Sequence, residues 1–578
     1  MNFFKMVLAV LVAQVLIGFA LFFGLGLMTA LFSSGETMDV ADGSWLVIDL
    51  YGDIPPYDAP ESISNSLFDE PETLQSILDN LEKADADDRV AGVVMKISSS
   101  NSLGMASLGE IRTAIARIRE GGKPVVAFSD DLDRDALYLA SACDSIFMPN
   151  VADVTFTGYG SVESFYKGTL DKLDVHENLH KIKDYKTAVE PFQRDSMSPE
   201  SREMTEWLIQ EIWEVELGAI ARDRGIPMDS LVACMEHALF TPQEAKRAQL
   251  IDDVVYWDEL EERLGGEDEL LTITTDEYDD VRRADVGLKG KNRIAVVHAY
   301  GFIGGRESHT DPTLGVMMGH ETVIDNLRSA ADDGRVDAIV FRVDSPGGES
   351  LASELIAREV GKIAADKPVI VSMGDVAASG GYLIAMTGDP VIAERTTLTG
   401  SIGIIYGKLN LKGLYDKLGI HKEIISRGKF ANLDSDYGPY TPEERNRVQA
   451  LMEDFYGKFI NKVAAARKMT PEDVDKVAQG RVWTGEQALE HGLVDELGGL
   501  ERSLEILKEK VGLPLDASVE LVEFPRHKSL MELIIERIQG NETGMPAAVS
   551  RWLLEGKFWE KLSINPYWAR IPYAVEFH

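Results

Sequence analysis

The sequence predicts an α/β protein built from two tandem copies of one domain, with a transmembrane helix at its N-terminus. Three observations predict this. The chain repeats itself at a nearly constant spacing, each repeat alternates β-type runs with helical segments, and an uncharged apolar stretch precedes the first repeat.

Met6 to Phe32 carries no charged residue. As a helix rising ~1.5 Å per residue it would be roughly 40 Å long, enough to span a ~30 Å hydrocarbon core with some tilt. Lys5 precedes it, no Lys or Arg follows until Lys83, and Glu36, Asp39 and Asp42 come at once. The positive-inside rule then places the N-terminus in the cytoplasm and the body outside. The run is long for the apolar region of a cleaved signal peptide, and no A-x-A-like site is evident before Glu36. Residues 1–42 are therefore read as an uncleaved anchor.

The repeats come next. "ILDNLEKADADDRVAGVVMKI" from Ile77 matches "VIDNLRSAADDGRVDAIVFRV" from Val323 at an offset of 246. "KPVVAFSDD" from Lys123 matches "KPVIVSMGD" from Lys367 at 244, and "LFTPQEAKRAQLIDDV" from Leu239 matches "VWTGEQALEHGLVDEL" from Val482 at 243. Such steady offsets indicate duplicated domains, at 43–265 and 292–523. The acidic, polar stretch 266–291 between them reads as a linker. Residues 524–578 have no counterpart in the first half and are rich in Trp and Tyr (Trp552, Trp559, Tyr567, Trp568, Tyr573), which are expected to pack on the body or on a neighbouring subunit.

Within each repeat the order is the same. A β run near Trp45 or Ile294 precedes a helix-like segment. A β run ending at Ile97 or Val343, a helix, and a β run after Pro124 or Pro368 follow. Alternation of this kind argues for largely parallel sheets.

Composition narrows the function. The formal net charge of −38 over 578 residues argues against nucleic acid as a partner, because phosphates would be repelled. The two cysteines, Cys143 and Cys234, form no C-x-x-C pair, and none of the ten histidines lies in an H-E-x-x-H pattern. No metal site is therefore expected.

The halves differ where chemistry would sit. The second half has "RVDSPGGES", Arg342 to Ser350, where the first has "KISSSNSLG". Paired glycines after a strand let backbone N–H groups approach a ligand, as an oxyanion hole requires. Further on, "GDVAASGGYLIAM" places Ser379 before Gly380 and Gly381 at a helix start, where the dipole favours developing negative charge. Aligning Tyr138 with Tyr382 puts Asp135 opposite Ser379, so the first half lacks both the double glycine and the serine. A nucleophilic serine needs a base. No histidine lies between Ser379 and His421. Lysine is the other option, because desolvation disfavours the ammonium. Lys186, followed by Ala188 and Val189, is one candidate. Lys429 is its repeat equivalent, each lying 13 residues before a proline, Pro199 or Pro442.

The motifs "RVDSPGG", "AASGGYL", "TGSIG" (Thr399 to Gly403), "YKTAVEPF" (Tyr185 to Phe192) and "VWTGEQALEHGLVD" resemble, in kind and order, elements of the signal peptide peptidases of the protease IV type. The resemblance covers Trp45 to Gly512. It implies tandem crotonase-like domains related in their core to the Clp protease subunit, and a serine endopeptidase that needs no cofactor. In double-length members it implies that the first domain supplies the lysine, here Lys186, and the second the serine, here Ser379. Gly347, Gly348 and the Gly380 N–H match the oxyanion donors, and Ser401 of "TGSIG" matches a hydroxyl that orients the lysine. The implied substrates are remnant signal peptides and similar apolar peptides in a bacterial cytoplasmic membrane. The expected assembly is a homotetramer with its catalytic body on the outer face.

Overall fold

The computed structural model describes residues 40–57, 72–266 and 268–526, together with the strand Trp568–Ala569. Met6 to Phe32 lies outside the described residues, as do Trp552, Trp559, Tyr567 and Tyr573. Among the described residues no helix is long and apolar enough to cross a membrane.

Each half is built on an eight-stranded sheet, and the two sheets share one strand order. In the first, the path runs Ala238–Phe240, Asp153–Phe156, Val125–Leu132, Val90–Asn101, Ser44–Gly52, Thr272–Thr274. In the second it runs Val482–Trp483, Leu398–Gly400, Val369–Ala378, Val336–Ser345, Arg293–Tyr300, Glu520–Phe524. Neighbours are parallel except at the outermost pair of each path, Val154 against Phe240 and Thr399 against Trp483. Parallel strands covered on both faces read as continuous apolar runs. Arg293–Tyr300 and Val336–Ser345 are buried along nearly their whole length for this reason.

Helices cover the sheets. Leu74–Ala86 starts at Thr73, whose hydroxyl accepts from the Ser76 N–H in a capping box, and buries Ile77 and Leu81 completely. Each such side chain contributes about 1.5–3 kcal/mol relative to exposure. Pro442–Arg467 starts in the same way at Thr441 with Glu444.

The stretch 266–291 is not a linker. Thr272–Thr274 adds a parallel edge strand beside Ser44–Gly52, pairing Trp45 with Thr272. The helix Thr275–Asp279 then buries Tyr278, whose carbonyl accepts from Lys83 Nζ at 3.0 Å. Ile273, Thr275, Tyr278, Val281 and Val286 are the buried side chains that anchor this acidic segment. In the second half Glu520–Phe524 is the matching edge strand, so a boundary at 523 cuts through it.

The halves are joined by strands and rings. His176–Lys181 of the first half pairs antiparallel with Ile405–Asn410 of the second. Trp207 stacks on Trp483 with ring centroids 4.7 Å apart and donates from Nε1 to the Val482 carbonyl at 3.1 Å. Arg342 of the second half forms a buried ion pair with Glu110 of the first.

Candidate active site

Ser379 follows the strand Val369–Ala378 and caps the helix Gly380–Ala385. Its backbone is held at φ +57°, a region costly to a residue with a Cβ, and its N–H donates to the Gly400 carbonyl at 2.8 Å. The small residues around it are needed for space. A Cβ on Gly381 would lie 2.3 Å from the Ser345 carbonyl oxygen, and one on Gly380 would lie 2.5 Å from Ser353 Oγ. This conformation presents the hydroxyl at a helix start.

Lys186 arrives from the other half. Its chain leaves the inter-half strand His176–Lys181, and Tyr185 beside it stacks against the Arg481 guanidinium, 3.7 Å from the ring centroid. Lys186 Nζ lies 3.0 Å from Ser379 Oγ, 2.8 Å from Ser401 Oγ and 2.8 Å from the Ser401 carbonyl oxygen. Both Lys186 and Ser379 are buried. Burial, with no opposing charge beside it, pushes the Lys186 amine down to about 7. A neutral amine has two N–H donors and one lone pair. The two Ser401 oxygens can take the two N–H groups of such an amine, so its lone pair can accept from the Ser379 hydroxyl.

Two glycines that sequence reasoning did not single out make room for the lysine. A Cβ on Gly480 would lie 2.4 Å from the Lys186 N, and one on Gly403 would lie 3.2 Å from Lys186 Cδ. Gly403 belongs to the "TGSIG" motif, whereas Gly480 carried no signal beyond being a glycine. Ser401 is held at φ +50° with its N–H on the Arg481 carbonyl at 2.6 Å.

The glycine pair behaves less uniformly than expected. The Gly347 N–H donates to Ser345 Oγ at 3.1 Å, and its carbonyl accepts from Ile303 N at 2.9 Å. The Gly347 N–H is thus engaged within its own turn, which its φ of +97° shapes. The Gly348 nitrogen lies 3.1 Å from where a Gly380 Cβ would stand, so the Gly348 and Gly380 backbones converge beside Ser379.

Lys429, the repeat equivalent of Lys186, is exposed and pairs with the equally exposed Glu443 at 2.9 Å. The first-half counterpart of Ser379 also differs from expectation. Leu132 pairs with Val154, which pairs with Phe240; Ala377 pairs with Thr399, which pairs with Trp483. Two residues on from these matching positions stand Arg134 and Ser379. By strand register Arg134 stands at the serine's position, whereas by helix cap Asp133 does, since it caps Arg134–Ala140 as Ser379 caps Gly380–Ala385; Arg134 holds Asp135 at 2.9 Å and Glu216 at 3.3 Å.

Residues 117–270 and 362–514 each match Peptidase family S49. The chain is similar to the chloroplastic serine protease SPPA of Arabidopsis thaliana, 35% identical over 514 residues that cover 88% of this chain and 75% of that protein. It is similar to Protease 4 of Haemophilus influenzae, 32% identical over 76% of this chain and 73% of that one. Protease 4 of Salmonella typhi is 32% identical over 85% of this chain and 79% of its own. Among solved structures, a mutant of the 1510-N membrane-bound stomatin-specific protease matches 41% of this chain and 99% of its own, at 16% identity and a TM-score of 0.25. The protein is thus a serine peptidase. It belongs to Peptidase family S49, whose domain it carries twice.

Proposed function

We propose that the chain is a membrane-anchored serine endopeptidase in which a Ser379/Lys186 dyad degrades remnant signal peptides and similar apolar peptides in the membrane. The observation that carries this reading is the 3.0 Å approach of a desolvated lysine amine to the hydroxyl of a strained serine. Ser379 Oγ attacks the scissile carbonyl while its proton passes to Lys186 Nζ. The oxyanion takes hydrogen bonds from the Gly348 and Gly380 N–H groups. The lysine ammonium then gives its proton to the leaving amine; in deacylation Lys186 Nζ takes a proton from the attacking water and returns it to Ser379 Oγ as the acyl–serine bond breaks. Ser401 orients the lysine throughout. Ser379→Ala and Lys186→Ala should each abolish hydrolysis in a folded protein; retained turnover by either would refute the dyad.

The repeats are read as crotonase-like domains with the Clp-type core, the first extended through the edge strand at Thr272–Thr274. Met6 to Phe32 is read as the single anchor, with the body on the outer face of a bacterial cytoplasmic membrane. Protease added outside spheroplasts should digest the body; full protection would contradict that topology.

Assembly into a homo-oligomeric ring has its own support, and four copies is the number that the family resemblance implies. Residues 421–426 occupy, in the second half, the place that His176–Lys181 occupies in the first, after a matching short helix (Lys412–Leu418 and Lys167–Leu173). His176–Lys181 is paired across the halves, whereas 421–426 takes part in no strand pairing among the described residues, and Ile425 is 97% exposed. Repeating the inter-half joint between chains covers this segment with the first half of a second copy and closes a ring. Native mass spectrometry should show tetramers that Ile425→Asp dissociates.

A further inference from the structure

The strand that leads to Ser379 carries a bulge, and its inserted residue reaches across to the other half. Between the paired positions Val343–Met373 and Ser345–Ala377 the strand Val369–Ala378 holds three residues, Gly374, Asp375 and Val376. The first half has two residues, Ser129 and Asp130, at the matching place, between Lys96–Phe128 and Ser98–Asp131. Asp344, the residue before the Ser345 turn, accepts from the Asp375 and Val376 N–H groups at 3.2 Å each. This ties the glycine loop to the nucleophile strand. Asp375 points the other way. Its Oδ1 accepts from the Ala106 and Ser107 N–H groups at 2.9 and 3.0 Å, and its Oδ2 accepts from Ser107 Oγ at 2.5 Å. Those are the second and third residues of the first-half helix Met105–Glu120, whose own cap residue, Gly104, supplies no side chain.

We propose that Asp375 is a positioning residue for the peptidase reaction: it caps the first-half helix from the second half, and so fixes the strand end that bears Ser379 against the half that bears Lys186. The inference rests on the Ser379/Lys186 reading. Glycines at both contacts fit it. A Cβ on Gly104 would lie 2.4 Å from Asp375 Cγ, and one on Gly374 would lie 2.5 Å from Asp344 Oδ2. Capping of a helix normally uses its own cap residue. Here the cap is a joint between domains, four residues from the nucleophile. The charged and titratable groups facing the Asp344/Asp375 pair are Arg342, itself paired with Glu110 of the first half, Tyr300 and Glu394. Burial and the neighbouring Asp375 push Asp344 up to about 7.

The test compares Asp375→Ala, Asp375→Asn, Gly104→Ala and the Asp375→Ala/Gly104→Ala double variant on a fluorogenic peptide, with melting temperatures recorded. Misplacement of reacting groups by about 1 Å costs roughly a hundredfold in rate. Asp375→Ala should lose about that much kcat with KM little changed. Its acid limb should move to higher pH, because a loosened joint admits water to Lys186. Asp375→Asn should recover most of the rate, since its amide oxygen still accepts both N–H groups. Gly104→Ala should slow turnover by pushing on Asp375, and the double variant should be no slower than Asp375→Ala alone, because the clash is removed with the carboxylate. If Asp375→Ala does not fold, Gly104→Ala decides alone: slowed turnover with a shifted limb supports the joint, and unchanged turnover overturns it. A folded Asp375→Ala with normal kcat and pH limb, or effects that simply multiply in the double variant, also overturns it. Activity surviving in Ser379→Ala or Lys186→Ala would instead refute the dyad, whatever Asp375 does.

Discussion

Replacing Lys186 by Met should stabilise the fold while destroying activity. Methionine matches the length and apolar stem of lysine and removes the amine. The amine sits in a fully buried site with no opposing charge, and its pKa falls from 10.5 to about 7. At about 1.36 kcal/mol per pKa unit, the folded protein disfavours the ammonium by roughly 5 kcal/mol at most. The sign follows from proton binding. Between about pH 7 and 10.5 the unfolded chain holds the lysine proton and the folded chain does not, so wild-type stability rises with pH across that window. Below about pH 7 the full cost is present; above 10.5 it is gone. Lys186→Met never bears this cost. Thermal unfolding of both proteins from pH 6 to 10.5 should show the variant ahead by a few degrees at the acid end. The gap should close as pH rises. A variant less stable than wild type at pH 6, or a gap independent of pH, would refute a neutral, desolvated Lys186.

Other consequences can be checked singly. Ser401→Ala removes one acceptor 2.8 Å from the amine and should lower kcat by roughly 10- to 100-fold, the cost of an unpaired buried N–H. Because that oxygen also stabilises the ammonium, the acid limb of kcat/KM should move to lower pH, and a limb moving upward would contradict the contact. Gly480→Ala forces a Cβ to 2.4 Å from the Lys186 N at φ +89° and should cost about a hundredfold in rate; an unaffected rate would mean that the lysine backbone is not fixed there. Lys429→Ala should leave turnover per site within about twofold, since an exposed ion pair contributes about 0–1 kcal/mol, and an inactive, fully assembled variant would place a base in the second half.

Much of this architecture is legible in the sequence because the duplication writes it twice. The offsets near 245 place equivalent strands at equivalent ladder positions, and the apolar runs of parallel strands are hard to mistake. Ser379 and Lys186 stand out because each occurs in a motif that the other half lacks or has altered. Three features were hidden for physical reasons. The edge strand Thr272–Thr274 is three residues long with one buried side chain, too short to show a period. Gly480 touches Lys186 across 294 positions of chain, and only tertiary folding brings them together. Strand register moves the counterpart of Ser379 from Asp135 to Arg134, because the second-half bulge holds one residue more and a tyrosine match steps over it. The contact of the Gly347 N–H with Ser345 Oγ is likewise local and invisible to a glycine count.

The dyad is tested most directly by the pH dependence of Ser379 acylation. A serine-reactive phosphonate, followed by mass-spectrometric mapping, gives the labelled residue and its rate at each pH. The label should fall on Ser379, with a rate governed by a group titrating at about 7. Labelling should be lost in Lys186→Ala and kept in Lys429→Ala. Labelling of another residue, or an unchanged rate and pH profile in Lys186→Ala, would contradict a Ser379/Lys186 peptidase.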